Sequence, residues 1–135
     1  MFSASNADAK LNQDLGGEAT PHILLHTGDP GADGTANVAE YDGGPIARKA
    51  ATFGSPEDHP DEKQRRCKIT DDVAWDGSEI DSGQTITHVT VWDASSGSGL
   101  LYVGTLKEGK TTGSDGILFP AGELTVGIKV WELSS

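Results

Sequence analysis

Residues 85–106, TITHVTVWDASSGSGLLYVGTL, decide how the rest of the chain is read. Val89 and Val91 alternate with His88, Thr90 and Trp92 at a period of two, the pattern of a strand with one buried face. Ser95, Ser96, Gly97, Ser98 and Gly99 then supply a turn, with glycines free to take positive φ. Leu101 and Val103 resume the alternation on the returning strand, so the stretch reads as a β-hairpin.

Working outward, the same period governs the end of the chain. In ELTVGIKVWEL, residues 123–133, Leu124, Val126, Ile128 and Val130 share one face, and Thr125, Gly127, Lys129 and Trp131 the other. That is a long half-buried strand. Upstream, Pro21–Thr27 and Ile46–Phe53 read as strands, as does Cys67–Trp75 with a break at Asp71-Asp72, and Ile117–Phe119 is a brief one. Gly54–Arg66 (GSPEDHPDEKQRR) holds no large apolar residue and reads as a long exposed loop; Lys107–Gly116 has loop character too. The expected fold is all-β, an antiparallel sandwich or barrel of about seven to eight short strands. Val89, Val91, Leu101, Val103, Leu124, Val126, Ile128 and Val130 are its expected core. Residues 1–20 form an N-terminal arm, and residues 21–135 a single β domain. Within the arm, Ser5–Leu15 is a short helix candidate with Ala7, Leu11 and Leu15 at spacing four. It reads equally as a short docking helix or as a flexible arm, since a helix of about three turns is marginal alone and needs a surface to lie on.

Composition narrows the function classes. The 135 residues carry a formal charge of -11, from 21 acidic and 10 basic residues. Such a field repels nucleic acid and anionic membranes and suits docking on a basic protein surface. Cys67 is the only cysteine, which excludes an internal disulfide and a thiolate metal cluster. No signal peptide is read at the start, and no run approaches the roughly 18 apolar residues that span a bilayer. The 18 glycines fit a chain of many turns.

Candidate chemistry is sparse. His22 and His26, four apart, share a face on a strand as on a helix, but a third metal ligand is lacking nearby, and a structural or solvent-facing pair is the preferred reading. Asp29 and Asp33, with Asp42 beyond, carry oxygens that calcium favours, yet their spacing is not that of an EF-hand and Asp, Pro and Gly are turn residues. Cys67, between Arg66 and Lys68, reads as a small buried hydrophobe entering a strand. Asp58, Asp61 and Glu62 lack an aromatic platform and read as a solvated charge run. No nucleophile, phosphate-loop or zinc-protease motif is present, so neither an enzyme nor a cofactor is expected. Trp92 and Trp131 fall opposite the valines of their strands: either both sheet faces are covered, or these indoles line a contact surface. Candidate interface residues are therefore Trp92, Trp131, Asp29, Asp33, Glu57, Asp58, Asp61 and Glu62.

Four stretches taken together resemble a family of small tailed-phage virion proteins, labelled tail fibre, minor tail or minor capsid proteins. They are LHTGDPGADGTAN (Leu25–Asn37), YDGGPIARKAATF (Tyr41–Phe53), ITHVTVWDASSGSGLLYVGTL (Ile86–Leu106) and FPAGELTV (Phe119–Val126), in that order. The resemblance implies a compact β domain without enzymatic residues, assembled in a host cytoplasm into a virion. The expectation formed on it is a minor capsid or decoration protein that binds the major capsid protein or other virion subunits as a homo-oligomer, a trimer or dimer. A tail-associated (minor tail or fibre) protein is the first alternative, and a host-surface carbohydrate-binding module the second. The chain departs from the family pattern at Gly54–Arg66 and in its short polar N-terminal segment, both exposed parts that bear on partner choice.

Overall fold

The computed structural model describes residues 10–11, 14–15, 20–55, 57–58 and 64–129, with the backbone alone at 57–58, 64–66 and 127–129. The fold is all-β and every strand pairing is antiparallel. Eleven strands occur among the described residues: β1 (His22–His26), β2 (Glu40–Tyr41), β3 (Gly44–Pro45), β4 (Lys49–Ala50), β5 (Glu57–Asp58), β6 (Gln64–Lys68), β7 (Val73–Trp75), β8 (Thr85–Trp92), β9 (Leu100–Thr111), β10 (Ile117–Phe119) and β11 (Thr125–Lys129). The count exceeds the expected one because four of them are two-residue pairings in connections.

The principal sheet has the order β4-β1-β8-β9, and a second sheet the order β11-β6-β5. Beyond β4 the two are stitched together. Phe53 bridges Ile69, Gly54 N–H donates to Lys68 O at 2.8 Å, and Thr70 N–H donates to Thr52 O at 2.8 Å. Followed round, the backbone runs β9-β8-β1-β4, across this seam to β6, and on to β11. Among the described residues β9 and β11 are not paired, so the ring is open there and the architecture is a split barrel. Two small ladders, β10-β7 and β2-β3, complete the described strands.

The hairpin expected from residues 85–106 is present as β8 and β9, paired along their length. Its faces differ from the expectation. Val91 lies opposite Tyr102 and Trp92 opposite Leu100, so Leu101 is an extra residue, a bulge that reverses the pleat. A one-residue shift moves a whole strand's alternation to the other face. Tyr102 and Leu106 therefore share the inner parity of Val89 and Val91, whereas Val103, expected in the core, is 47% exposed and Leu101 only half-buried. β9 also continues to Thr111, through residues whose Lys, Gly and Thr content reads as loop. Likewise β5 and the first residues of β6 lie inside Gly54–Arg66, so that segment is not simply a loop. Between 46 and 53 the strand is reduced to Lys49–Ala50 and the bridge at Phe53.

Strand β8 was expected to be half-buried, and its C-terminal half is buried on both sides. On the inner face Ile23, Leu25, Val89 and Val91 belong to a core shared with Phe53, Cys67, Ile69 and Leu124. On the other face Leu24, His26, Thr90 and Trp92 are covered by the segment between β1 and β4, which contributes Ile46 and Gly34. Gly34 is required there: its φ is +74°, and a Cβ would stand 2.9 Å from Leu100 and 3.1 Å from Trp92. From the N-terminal segment, residues 10, 11, 14 and 15 are helical, and Leu11 and Leu15 are buried in the core. Leu11 and Leu15 of the spacing-four stripe thus lie on the β body, and Ala7 lies outside the described residues. Val130 lies outside the described residues, as does the side chain of Ile128.

Candidate interaction surface

Trp92 is a core residue and not a contact residue. Its indole is 1% exposed, with the Arg48 guanidinium stacked 3.7 Å from the ring centroid. Arg48 is held there by donating to Ala94 O at 3.1 Å and Gly97 O at 2.7 Å, both in the hairpin turn. The burial follows from the second covered face of β8, one of the two possibilities that alternation leaves open. Trp131, Asp61 and Glu62 lie outside the described residues. Glu57 and Asp58 form β5, paired with Arg66 and Arg65 on β6. Asp29 and Asp33 are exposed and close turns. Asp29 Oδ1 accepts from Gly31 N at 2.9 Å, and Asp33 Oδ1 accepts from the Thr35 hydroxyl at 2.8 Å and Thr35 N at 3.2 Å. These bonds to Thr35 hold the Asp33 carboxyl below its ordinary pKa, its carboxylate being the better acceptor.

Sequence reading missed a buried polar chain that links β1 and β8. His26 Nδ1 lies 2.8 Å from Ala36 O, which only accepts, so Nδ1 carries the proton and Nε2 is an acceptor. The Thr90 hydroxyl donates to that Nε2 at 2.8 Å and accepts from Trp92 Nε1–H at 2.7 Å. Every polar atom of the chain is used, and both His26 nitrogens are engaged. His26 is fully buried, and burial is the main cause that pushes its pKa below 6.5; the Ala36 carbonyl opposes and His88 adds to the lowering. Its partner of four residues earlier, His22, lies at the other end of β1 with Nδ1 against Thr20 O. The HxxxH spacing could not reveal this, because Thr90 is 64 residues away. Among the described residues no group of three His, Cys, Asp or Glu side chains is placed to hold a metal.

A second missed group fixes the N-terminal turn. Tyr102 donates its hydroxyl to Asp14 Oδ2 at 2.8 Å, and Lys10 pairs with the same oxygen at 2.9 Å. Burial first, then the Asp14 carboxylate, drives the Tyr102 pKa well above its ordinary value. Cys67 is buried beside this group at the entry of the second sheet.

The remaining surface feature is the open seam of the barrel. One cavity of about 190 Å³ lies there, floored by Ile23, Phe53, Val89 and Val91 and walled by β9 and residues 124–126. A second of about 390 Å³ continues it along β9 to Lys110, against Phe119 and Glu123. Leu106 and Leu124 line both. Lys110 closes the far end, 4.8 Å from the Phe119 ring centroid and 3.0 Å from Glu123 Oε2.

Among the described residues His26, Tyr102 and Trp92 are spent on packing, and comparison with known families places the chain among structural proteins of bacteriophage particles. The family model described as Podophage GP4 fiber I protein gp80 matches residues 2–127, and the chain belongs to that family. No curated protein matches the chain. The family is a virion fibre family, which agrees with the resemblance to tailed-phage proteins and moves the weight from head decoration to the fibre alternative.

Proposed function

We propose that the chain is a non-enzymatic structural subunit of a phage fibre, mounted on the particle through contacts with other virion proteins. The observation that carries this is the fibre-family match across nearly the whole chain. The physical character fits the role. The core is continuous from the N-terminal turn to Leu124, and the buried polar side chains have partners among the described residues. Its size and lack of repeats suit a compact module at one position of a fibre rather than a shaft. The partners are other virion subunits, and assembly as a closed homo-oligomer, a trimer or dimer, is part of the proposal. A carbohydrate platform on Trp92 finds no support, since the indole is enclosed. Separation of heads from tails and fibres, followed by mass spectrometry of each fraction, tests the placement. Peptides of this chain are expected in the tail and fibre fraction. Their confinement to heads would restore the capsid-decoration reading and overturn this one.

A further inference from the structure

The open seam between β9 and β11 has the features of a strand-binding slot. β9 sits at the end of the order β4-β1-β8-β9 and β11 at the end of β11-β6-β5, so each presents an edge with no paired strand among the described residues. The opposite seam, at 52–54 and 68–70, is stitched by backbone hydrogen bonds. The ladder between β8 and β9 also loosens where the slot lies. Ile86 pairs with Lys110 but His88 with Thr105, so Leu106–Gly109 stand opposite Thr87 alone and bulge away from β8. The floor is apolar: the buried core residues Ile23, Phe53, Val89, Val91, Phe119 and Leu124 line the gap between the two walls. Lys107, Lys110 and the bulge hold this long edge back from indiscriminate pairing, so only a segment that also fits the apolar trough can add to it.

We propose that this slot receives an extended segment of another virion protein, which adds as a strand to β9 and completes the barrel. The inference rests on the structural role proposed above. Parity fixes the geometry: β9 and β11 run in opposite directions round the ring, so one inserted strand is antiparallel to one wall and parallel to the other. Antiparallel pairing is assigned to β9, whose edge is the longer. Main-chain bonds to β9 supply affinity, and alternate apolar side chains of the segment enter the trough. Charge selects the occupant. Lys107, Glu108, Lys110 and Glu123 at the rim cancel locally, while the chain as a whole carries -11. In the slot, that field favours a segment with basic residues on its outward face over an acidic one.

Two measurements test this on the full chain. First, 12-residue peptides tiling the other structural proteins of the particle, together with peptides of residues 1–9 and 130–135 of this chain, are titrated against it by fluorescence anisotropy. The binders expected are basic, with apolar residues at alternate positions, and lose at least tenfold in affinity for a Val103→Lys variant but not for Tyr41→Ser, which lies on the β2–β3 hairpin. Binding by no peptide, by acidic or helical peptides only, or only by peptides of residues 1–9 or 130–135 of this chain would overturn the proposal, the last result assigning the slot to the chain's own termini or a second copy. Second, hydrogen exchange compares free chain with intact particles. Those amides of residues 102–110 that point away from β8 are expected to be open in the free chain and protected in the particle. Protection already complete in the free chain, or exchange unchanged in the particle, refutes strand addition while leaving the structural role intact; absence of the chain from particles refutes that role instead.

Discussion

Replacing Thr90 by valine removes one oxygen and nearly nothing else, and it isolates what the buried chain between β1 and β8 contributes. The Thr90 hydroxyl is simultaneously the acceptor for Trp92 Nε1–H at 2.7 Å and the donor to His26 Nε2 at 2.8 Å. Valine keeps the shape, so no cavity forms, but two buried groups lose their partners at once. Each such group carries a penalty of about 1–3 kcal/mol, and greater apolarity of the methyl returns part of it, leaving a net loss of about 2–4 kcal/mol. Against a domain stability of about 5–15 kcal/mol that is a large fraction. Urea unfolding followed by tryptophan fluorescence at pH 7.5 reads it as a lower midpoint with an unchanged slope. Thr90→Ser is the discriminating partner: it keeps the hydroxyl and gives up one methyl, about 1 kcal/mol by transfer and cavity terms. Serine must therefore be the milder change. If valine costs less than about 0.5 kcal/mol, or less than serine, the hydrogen-bonded chain does not hold the strands as described.

Stability should also depend on pH through His26. Its folded pKa lies below 6.5, so the unfolded chain takes up the proton first as pH falls. The contribution is complete above the unfolded value and is lost as pH falls from about 6.5 toward the folded value, with a slope of up to about 1.4 kcal/mol per pH unit. Asp33 and Asp76, whose pKa values are lowered by bonds from Thr35 and Ser78, act only in the separate window below pH 3.8. Denaturation midpoints between pH 5 and 7.5 should slope for the parent chain and flatten for His26→Gln; a parent chain already flat in that range contradicts the burial argument. Gly116→Ala should abolish folding at 37 °C or cost about 3 kcal/mol or more, because φ is +91° and the new Cβ would lie 1.9 Å from Trp75 O; circular dichroism of the variant decides. Tyr102→Phe removes the bond to Asp14 and should destabilise by about 1–2 kcal/mol. Its effect is local, so limited proteolysis should cut near residues 10–15 well before the β body, and equal resistance of both chains would show that Leu11 and Leu15 alone secure the turn.

What was legible in the sequence is what a period of two can encode. Val89, Val91 and Leu124 are buried, and β8, β9, β10 and β11 lie where alternation and turn residues put them. What was not legible depends on one residue or on distance along the chain. The bulge at Leu101 carries no compositional mark, yet it turns Val103 outward and Tyr102 inward. β9 continues to Thr111 because Thr85 and Ile86 pair with Thr111 and Lys110, against the loop-like composition of its own residues. The spacing of Leu11 and Leu15 suggested a docked turn, but Asp14 between them gave no hint of a tyrosine 88 residues away. Alternation leaves two readings open for Trp92, because covering of the second face depends on the segment between β1 and β4, including a glycine at φ +74° that only tertiary contact explains.

That second cover also bears on how such a body could hold other proteins. A sheet with one open face offers an area for docking; here the loop from β1 to β4 takes one face of β8 and the second sheet takes the other. Docking on an exposed Trp92 indole is thereby removed, and the β scaffold presents, among the described residues, the edge of β9. Edges recognise backbone first and side chains second, which tolerates sequence drift in both partners provided the alternation persists. The charge then works at a distance, raising encounter with basic segments without fixing residue pairs. A fibre subunit built this way would keep its partner through changes in surface residues and lose it through a single proline or charge on β9, so substitutions along residues 102–110 should separate assembly from folding more cleanly than any in the core.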